Sequence, residues 1–305
     1  MEYSKISDNI YIMHPTQGIN PQKNAINTVP TTCIANPDGL IFVDCGVYPN
    51  LSSKFRLDME TKFQRKTTHL LLTHLHWDHF LAMESFKDVD IIASESGINE
   101  FNNFINIIDT LEEDKWASLL LINEEEIISI VKKVKLIPPN TLIKEELIIG
   151  SPGNEVIFRI IGGHSIDSAY IYIPSEKVLC AGDNLIECYA QLPGTPEKTI
   201  EIYTHWASLA IDKIIPGHGN VVDKNYLLKV KTYFEDLVSA LKNLIKNKIP
   251  RKEIFSHHTL PIYFAKNLPN WTEGSKPNMK WIEMTIKGWY LYLKRKKSIY
   301  TSMRS

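Results

Sequence analysis

Residues 73–79 read Thr73-His74-Leu75-His76-Trp77-Asp78-His79, directly behind the apolar run Leu70-Leu71-Leu72. Three imidazoles and one carboxylate fall within six positions at the end of a segment that reads as a buried strand. Neutral imidazole and carboxylate are the donors that borderline metals such as zinc take. With donors at i, i+2, i+4 and i+5, one tight loop can serve two different metals. A polar loop with coincidental histidines rarely reaches this density, so the stretch is read as the edge of a metal site.

Outward from this stretch the same pattern recurs. Glu155 to Ile161 is strand-like and ends in Gly162-Gly163-His164-Ser165. Ala169 to Ile173 and Lys177 to Cys180 form a strand-turn-strand ending in Ala181-Gly182-Asp183. Lys213-Ile214-Ile215 ends in Pro216-Gly217-His218-Gly219, and Leu40 to Val43 ends in Asp44-Cys45-Gly46. Each short hydrophobic run delivers one His or Asp on a glycine-bearing turn, where glycine permits positive φ and a close approach to a ligand. Five such strand ends are expected to converge at one edge of a sheet sandwich.

The ordered set D, H-x-H-x-D-H, H, D, H resembles the metallo-β-lactamase-fold hydrolase superfamily, with matching motifs from about Asp44 to Gly219. The resemblance implies an αββα four-layer sandwich, of class α/β, with a dinuclear metal centre at its edge. It assigns His74, His76 and His164 to the first metal, Asp78, His79 and His218 to the second, and Asp183 as the bridge. All seven positions carry the expected residue types, which argues against a vestigial descendant. Two divalent ions are implied, zinc by default from ligand softness, with iron or manganese accepted by the same donors.

Such a pair of ions shares a hydroxide, lowers the pKa of its water to around 7 and clamps substrate oxygens. The expected activity is hydroxide attack on an ester, thioester or lactone carbonyl of a small molecule. Asp78, between the two metal positions in the motif, is the expected proton shuttle that orients the hydroxide. Asp44 is expected behind the His-rich loop, fixing imidazole orientation. A phosphodiester is the next hydrolytic option. The alternative from another class is a persulfide-dioxygenase-like oxidoreductase, which keeps this fold with one iron on two His and one Asp.

Departures from the known branches bear on substrate. Zinc β-lactamases often lack the bridging aspartate present here as Asp183, so antibiotic hydrolysis is not the expected main activity. The chain has no room for the flavin domain of flavodiiron proteins and no long basic arm of the tRNA-processing nucleases. Glyoxalase-II-like thioesterases share the seven ligands, yet Phe80-Leu81-Ala82 replaces their usual small residues and His164-Ser165-Ile166-Asp167 alters their third motif. Acyl-homoserine lactonases carry a tyrosine where this chain has Ile186. Asp167, three residues after His164, is placed to hydrogen-bond a ligand or the first turn after the strand. Tyr189, beyond the bridging motif, either lines the pocket or packs under the loop. His14, His69, His205, His257 and His258 lack the strand-end context and are not assigned to the metal site.

The 305 residues carry 34 basic and 35 acidic side chains, so no charge imbalance points to nucleic acid or to a membrane surface. Met1-Glu2-Tyr3-Ser4-Lys5 shows no basic n-region leading into an apolar stretch, and no apolar run is long enough to span a bilayer. Cys33, Cys45, Cys180 and Cys188 show no C-x-x-C spacing and read as thiols of a reducing, cytoplasmic compartment. Further strands are expected at Asn9 to Met13, Val29 to Ala35 and Asp90 to Ala93, and helices at Leu51 to Arg65 and Asn225 to Lys248. Residues 1–248 read as the catalytic domain, with a helical insertion at about 96–135 whose acidic groups are solvated faces. Residues 249–305 read as a helical, aromatic-rich extension packed on it, with a substrate lid, a contact between copies in a homo-oligomer, or an anionic surface contact through the basic run Lys294-Arg295-Lys296-Lys297 as the functional alternatives.

Overall fold

The computed structural model describes residues 3–14, 29–110, 125–187, 194–261 and 277–302. Two sheets lie between helices. The first runs β1 (Ser4–Lys5), β2 (Ile10–Met13), β3 (Thr31–Asn36), β4 (Gly39–Val43), β5 (Thr67–Leu71), β6 (Asp90–Ser94), β7 (Thr141–Ile143), in that spatial order. The second has the order β13 (Val222–Asp223), β12 (Lys213–His218), β11 (Val178–Ile186), β10 (Ala169–Ile173), β9 (Val156–Ile160), β8 (Glu146–Ile149). Pairing is antiparallel at the start of each sheet, then parallel from β4 through β7 and between β11 and β12.

Period-2 alternation sends neighbouring residues of a strand into different cores. In β4, Leu40 and Phe42 join an outer cluster while Ile41 and Val43 face the inter-sheet core. In β10, Tyr170 and Tyr172 point outward while Ile171 and Ile173 point inward. The outer face of the first sheet is covered by α1 (Pro49–Phe63), α2 (Trp77–Phe80) and α3 (Ile98–Thr110), through Phe55, Met59, Phe80 and Phe101. A short α4 (Glu125–Val131) adds Val131 to a cluster with Val47, Tyr48 and Leu81. The second sheet is covered by α5 (Pro196–Ser208), α6 (Lys224–Lys246), α7 (Arg251–Ile254) and α8 (Pro277–Ser302), with Trp206, Phe234, Leu241, Ile254 and Trp289 in one cluster. The layers are therefore helices, sheet, sheet, helices: the expected αββα sandwich.

The differences from the sequence reading are local. β11 runs on through Gly182 and Asp183 to Ile186, and β12 continues through Gly217 to His218, where turns were expected. Their parallel pairing absorbs the glycines with register shifts between Cys180, Gly182 and Ile186. Helix α5 went unread although Thr195 caps it, its hydroxyl accepting from the Lys198 amide, with Pro196 in the first turn. The short edge strands β7 and β8 also escaped. Of the insertion, residues 98–110 and 125–131 are helical, and its acidic group at 112–114 lies outside the described residues. No helix among the described residues is long and apolar enough to cross a membrane.

Candidate metal centre

The chain delivers seven donors to one end of the sandwich. His74 and His76 lie in the loop after β5, Asp78 and His79 in α2, His164 in the turn from β9 to β10, Asp183 in β11 and His218 at the end of β12. They fall into two groups, His74, His76, His164 and Asp183, then Asp78, His79 and His218, with the donor atoms of each group within 4.8 Å of one another. The two oxygens of Asp183 face different groups. Oδ2 lies 3.5 Å from His164 Nε2 and 3.9 Å from His74 Nε2. Oδ1 lies 3.1 Å from His79 Nε2 and 3.4 Å from His218 Nε2.

These separations fit ligands around metal ions. Donors about 2.0–2.1 Å from a tetrahedral ion stand roughly 3.3 Å apart. His218 Nε2 to Asp78 Oδ2 is 3.3 Å and His164 Nε2 to His76 Nδ1 is 3.0 Å. The pairs His74–Asp183 at 3.9 Å and His79–Asp78 at 4.0 Å are looser. His74 Nε2, His79 Nε2 and Asp183 Oδ1 are buried without a hydrogen-bond partner. Buried polar atoms are normally satisfied, and one cation in each group would satisfy all three. The donor set, imidazole and carboxylate without thiolate, suits zinc, iron or manganese.

A carboxylate behind the loop fixes the imidazoles. Asp44, buried after β4, accepts from the Thr73 amide and the Thr73 hydroxyl, both at 2.8 Å, and meets His79 Nδ1 at 2.9 Å. A carboxylate only accepts, so His79 carries a proton on Nδ1, and Nε2, which faces Asp183, is the nitrogen that would give up its proton to a metal. With its proton donated to Asp44, the Thr73 hydroxyl is an acceptor for His74 Nδ1 at 3.1 Å, which leaves His74 Nε2 inward too. Asp167 works at one remove. Its Oδ2 accepts the Leu75 amide at 2.7 Å, which pins the loop between His74 and His76.

The charges of the metal-free centre follow from this crowding. Burial alone would depress His218, but Asp183 and Asp78 raise it to about 10. Burial opposes charge on His79 as well, and Asp183, Asp44 and Asp78 together lift it well above the ordinary histidine range. His164 is lowered by burial to about 4, despite Asp183 nearby. Burial, aided by the neighbouring His79 and His76, holds His74 well below its usual value. Burial would raise Asp183, yet His218, His79 and His164 hold it well below the carboxylate range.

The unassigned histidines do other things. His69 Nδ1 meets the Thr68 hydroxyl at 2.8 Å, and His205 Nε2 meets the Tyr170 hydroxyl at 2.8 Å. His257 and His258 stack on each other. Cys33, Cys45 and Cys180 are buried free thiols. Tyr189 and Cys188 lie outside the described residues. Sequence reasoning missed Asn184, whose buried side chain touches the His164 turn; its position directly after Asp183 was the available signal.

An αββα sandwich with two His/Asp groups at its edge defines the class, and comparison with known proteins agrees. The sequence model of the Metallo-beta-lactamase superfamily matches residues 27–218, and the chain belongs to that superfamily. It is 24% identical over 202 residues to a metallo-beta-lactamase type 2 from Bacillus sp. (strain 170), covering 62% of this chain and 66% of that one. A metallo-beta-lactamase from Pontibacter korlensis superposes with a TM-score of 0.55 at 15% identity, over 77% of this chain and 99% of that one. A stereoselective inverting sec-alkylsulfatase from Pseudomonas sp. superposes with a TM-score of 0.64 at 17% identity, over 94% of this chain. This chain spans about half the sulfatase, 49% of its length. The fold with its His/Asp groups supports a metal-dependent hydrolase.

Proposed function

We propose that the protein is a dinuclear metallo-hydrolase, with zinc as the default metal, that cleaves an ester, thioester or lactone of a small molecule in the cytoplasm. The observation that carries this reading is the divided aspartate: Asp183 Oδ2 faces the His74, His76 and His164 group, and Oδ1 faces the His79 and His218 group. His74, His76 and His164 would hold one ion, Asp78, His79 and His218 the other, and Asp183 both. Two divalent ions bound there supply a water-derived nucleophile at neutral pH and polarise the substrate carbonyl oxygen.

The chain's own residues do the rest. Asp78 stands between the groups, its Oδ2 3.3 Å from His218 Nε2. Burial works to raise its carboxyl, but His79 and His218 hold it below the usual range, so it is ionised at neutral pH; its place between the groups makes it the residue to accept a proton from the attacking water. Asp44 and Thr73 keep His79 and His74 in the tautomers that leave Nε2 free. Asp167 holds the intervening Leu75 amide and so the spacing of His74 and His76. The activities of the lactamases and of the sulfatase belong to those proteins, since identities of 24% or less carry the fold and not the substrate.

The test is a panel of aryl esters, thioesters, acyl lactones, phosphodiesters and alkyl sulfates, each assayed before and after chelation. Turnover of carbonyl substrates that chelation abolishes and added zinc restores supports the reading. Turnover confined to phosphodiesters or sulfates, or carbonyl turnover indifferent to chelation, overturns it.

A further inference from the structure

We propose that Asn184 is a positioning residue for the first metal position, clamping the turn that presents His164; this rests on the dinuclear reading above. The turn Gly162-Gly163-His164 has positive φ at both glycines, +68° and +108°, so it carries little intrinsic stiffness. A ligand on such a turn needs an external anchor if its imidazole is to stay within a fraction of an ångström of its place.

Asn184 supplies that anchor from β11, one residue beyond Asp183. Its Oδ1 accepts the His164 amide at 2.8 Å and its Nδ2 donates to the Gly162 carbonyl at 2.8 Å. One side-chain amide thus pairs with both backbone groups that flank Gly163, as a neighbouring strand would. The asparagine is itself held. It is 1% exposed, and the buried Tyr203 hydroxyl of α5 donates to its backbone carbonyl oxygen at 2.7 Å. Fit is tight as well as polar: a Cβ on Gly163 would lie 2.2 Å from Asn184 Oδ1 and 2.6 Å from Ile202 Cδ1. The backbone comes this close only because residue 163 has no side chain. Asp183 and Asn184 therefore act as a couple, the first as a donor to the ions and the second as the support of another donor.

Partners that orient metal ligands typically change metal affinity by about 10- to 100-fold when removed. The test uses the full chain, with Co(II) titrated into metal-free wild type, Asn184→Ala and Asn184→Asp and followed by visible absorption. His76→Ala identifies the spectral change that belongs to the first position. Asn184→Ala is expected to bind the first-position ion about 10- to 100-fold more weakly, with the second-position ion unchanged. Asn184→Asp keeps the acceptor for the His164 amide but sets a carboxylate oxygen against the Gly162 carbonyl, so the turn is released on that side and first-position affinity falls selectively. If Asn184→Ala does not fold, Asn184→Asp alone decides, by a selective loss at the first position. Two ions bound with wild-type affinity and spectra in the folded variants overturn the clamp and leave the dinuclear reading standing. A wild type that takes up only one Co(II) overturns both.

Discussion

Asp44→Asn is the substitution that isolates a single proton in this centre. Asp44 sits at φ +51°, a left-handed conformation that asparagine tolerates and alanine resists, so the backbone is preserved. The amide keeps an acceptor for the Thr73 N–H, but its NH₂ then faces the Thr73 hydroxyl and His79 Nδ1, where the carboxylate oxygen stood at 2.8 and 2.9 Å. A donor opposite Nδ1 forces the His79 proton onto Nε2, the atom that faces Asp183 and Asp78. A protonated Nε2 cannot ligate. The variant must either restore the tautomer against an unpaired, fully buried N–H, which costs ~1–3 kcal/mol, or lose the ligand. Both routes weaken the second-position ion by about 10- to 100-fold, or ~1.4–2.8 kcal/mol. Zinc competition against a chromophoric chelator reads the affinity, and nitrogen NMR of labelled histidine reads the tautomer. Wild-type affinity for both ions, with the His79 proton still on Nδ1, would refute the reasoning.

Four further predictions rest on named contacts and charges. A Cβ on Gly97 would lie 2.3 Å from Asp167 Oδ2, the oxygen that holds the Leu75 amide, so Gly97→Ala is expected to lower stability by ~1–3 kcal/mol and weaken metal uptake, read by thermal melting and chelator competition. Because His79 and His218 are protonated in the metal-free centre at pH 7 while His164, at about 4, is not, loading the centre should release about two protons, read by calorimetry in buffers of different ionisation enthalpy. The same shift has a stability sign: His218, raised from 6.5 to about 10, stabilises the metal-free fold fully below about pH 6.5, and that contribution is lost as pH climbs through about 10. Trp289 Nε1 donates to the Gly194 carbonyl at 2.8 Å, so Trp289→Phe keeps most of the packing and should cost ~0.5–1.5 kcal/mol in denaturant unfolding.

Much of this was legible in the sequence because the chemistry sits at strand ends. A short apolar run stopped by His or Asp and glycine marks both the strand and its tip, so the candidate donors from His74 to His218 stand out in the sequence, and the fold gathers them into two groups. The cost of that habit was at Asp183 and His218, where glycines read as turns belong to continuing strands held by a bulged parallel ladder. Strands β7 and β8, three and four residues long, carry too short a pattern for periodicity to register. Helix α5 carries its signals in Thr195, the cap, and Pro196, in the first turn. Asn184 is the instructive miss: an uncharged residue on no ligand spacing, whose role exists only once the β9–β10 turn folds against β11.

The central claim is that Asp183 joins two ions in one centre. Elemental analysis of protein purified without added metal, wild type beside Asp183→Ala, tests it most directly. The account predicts about two zinc, iron or manganese ions per wild-type chain and a clear fall in the variant. One iron per chain, retained when Asp183 is removed, would contradict it and turn the search towards sulfur oxidation.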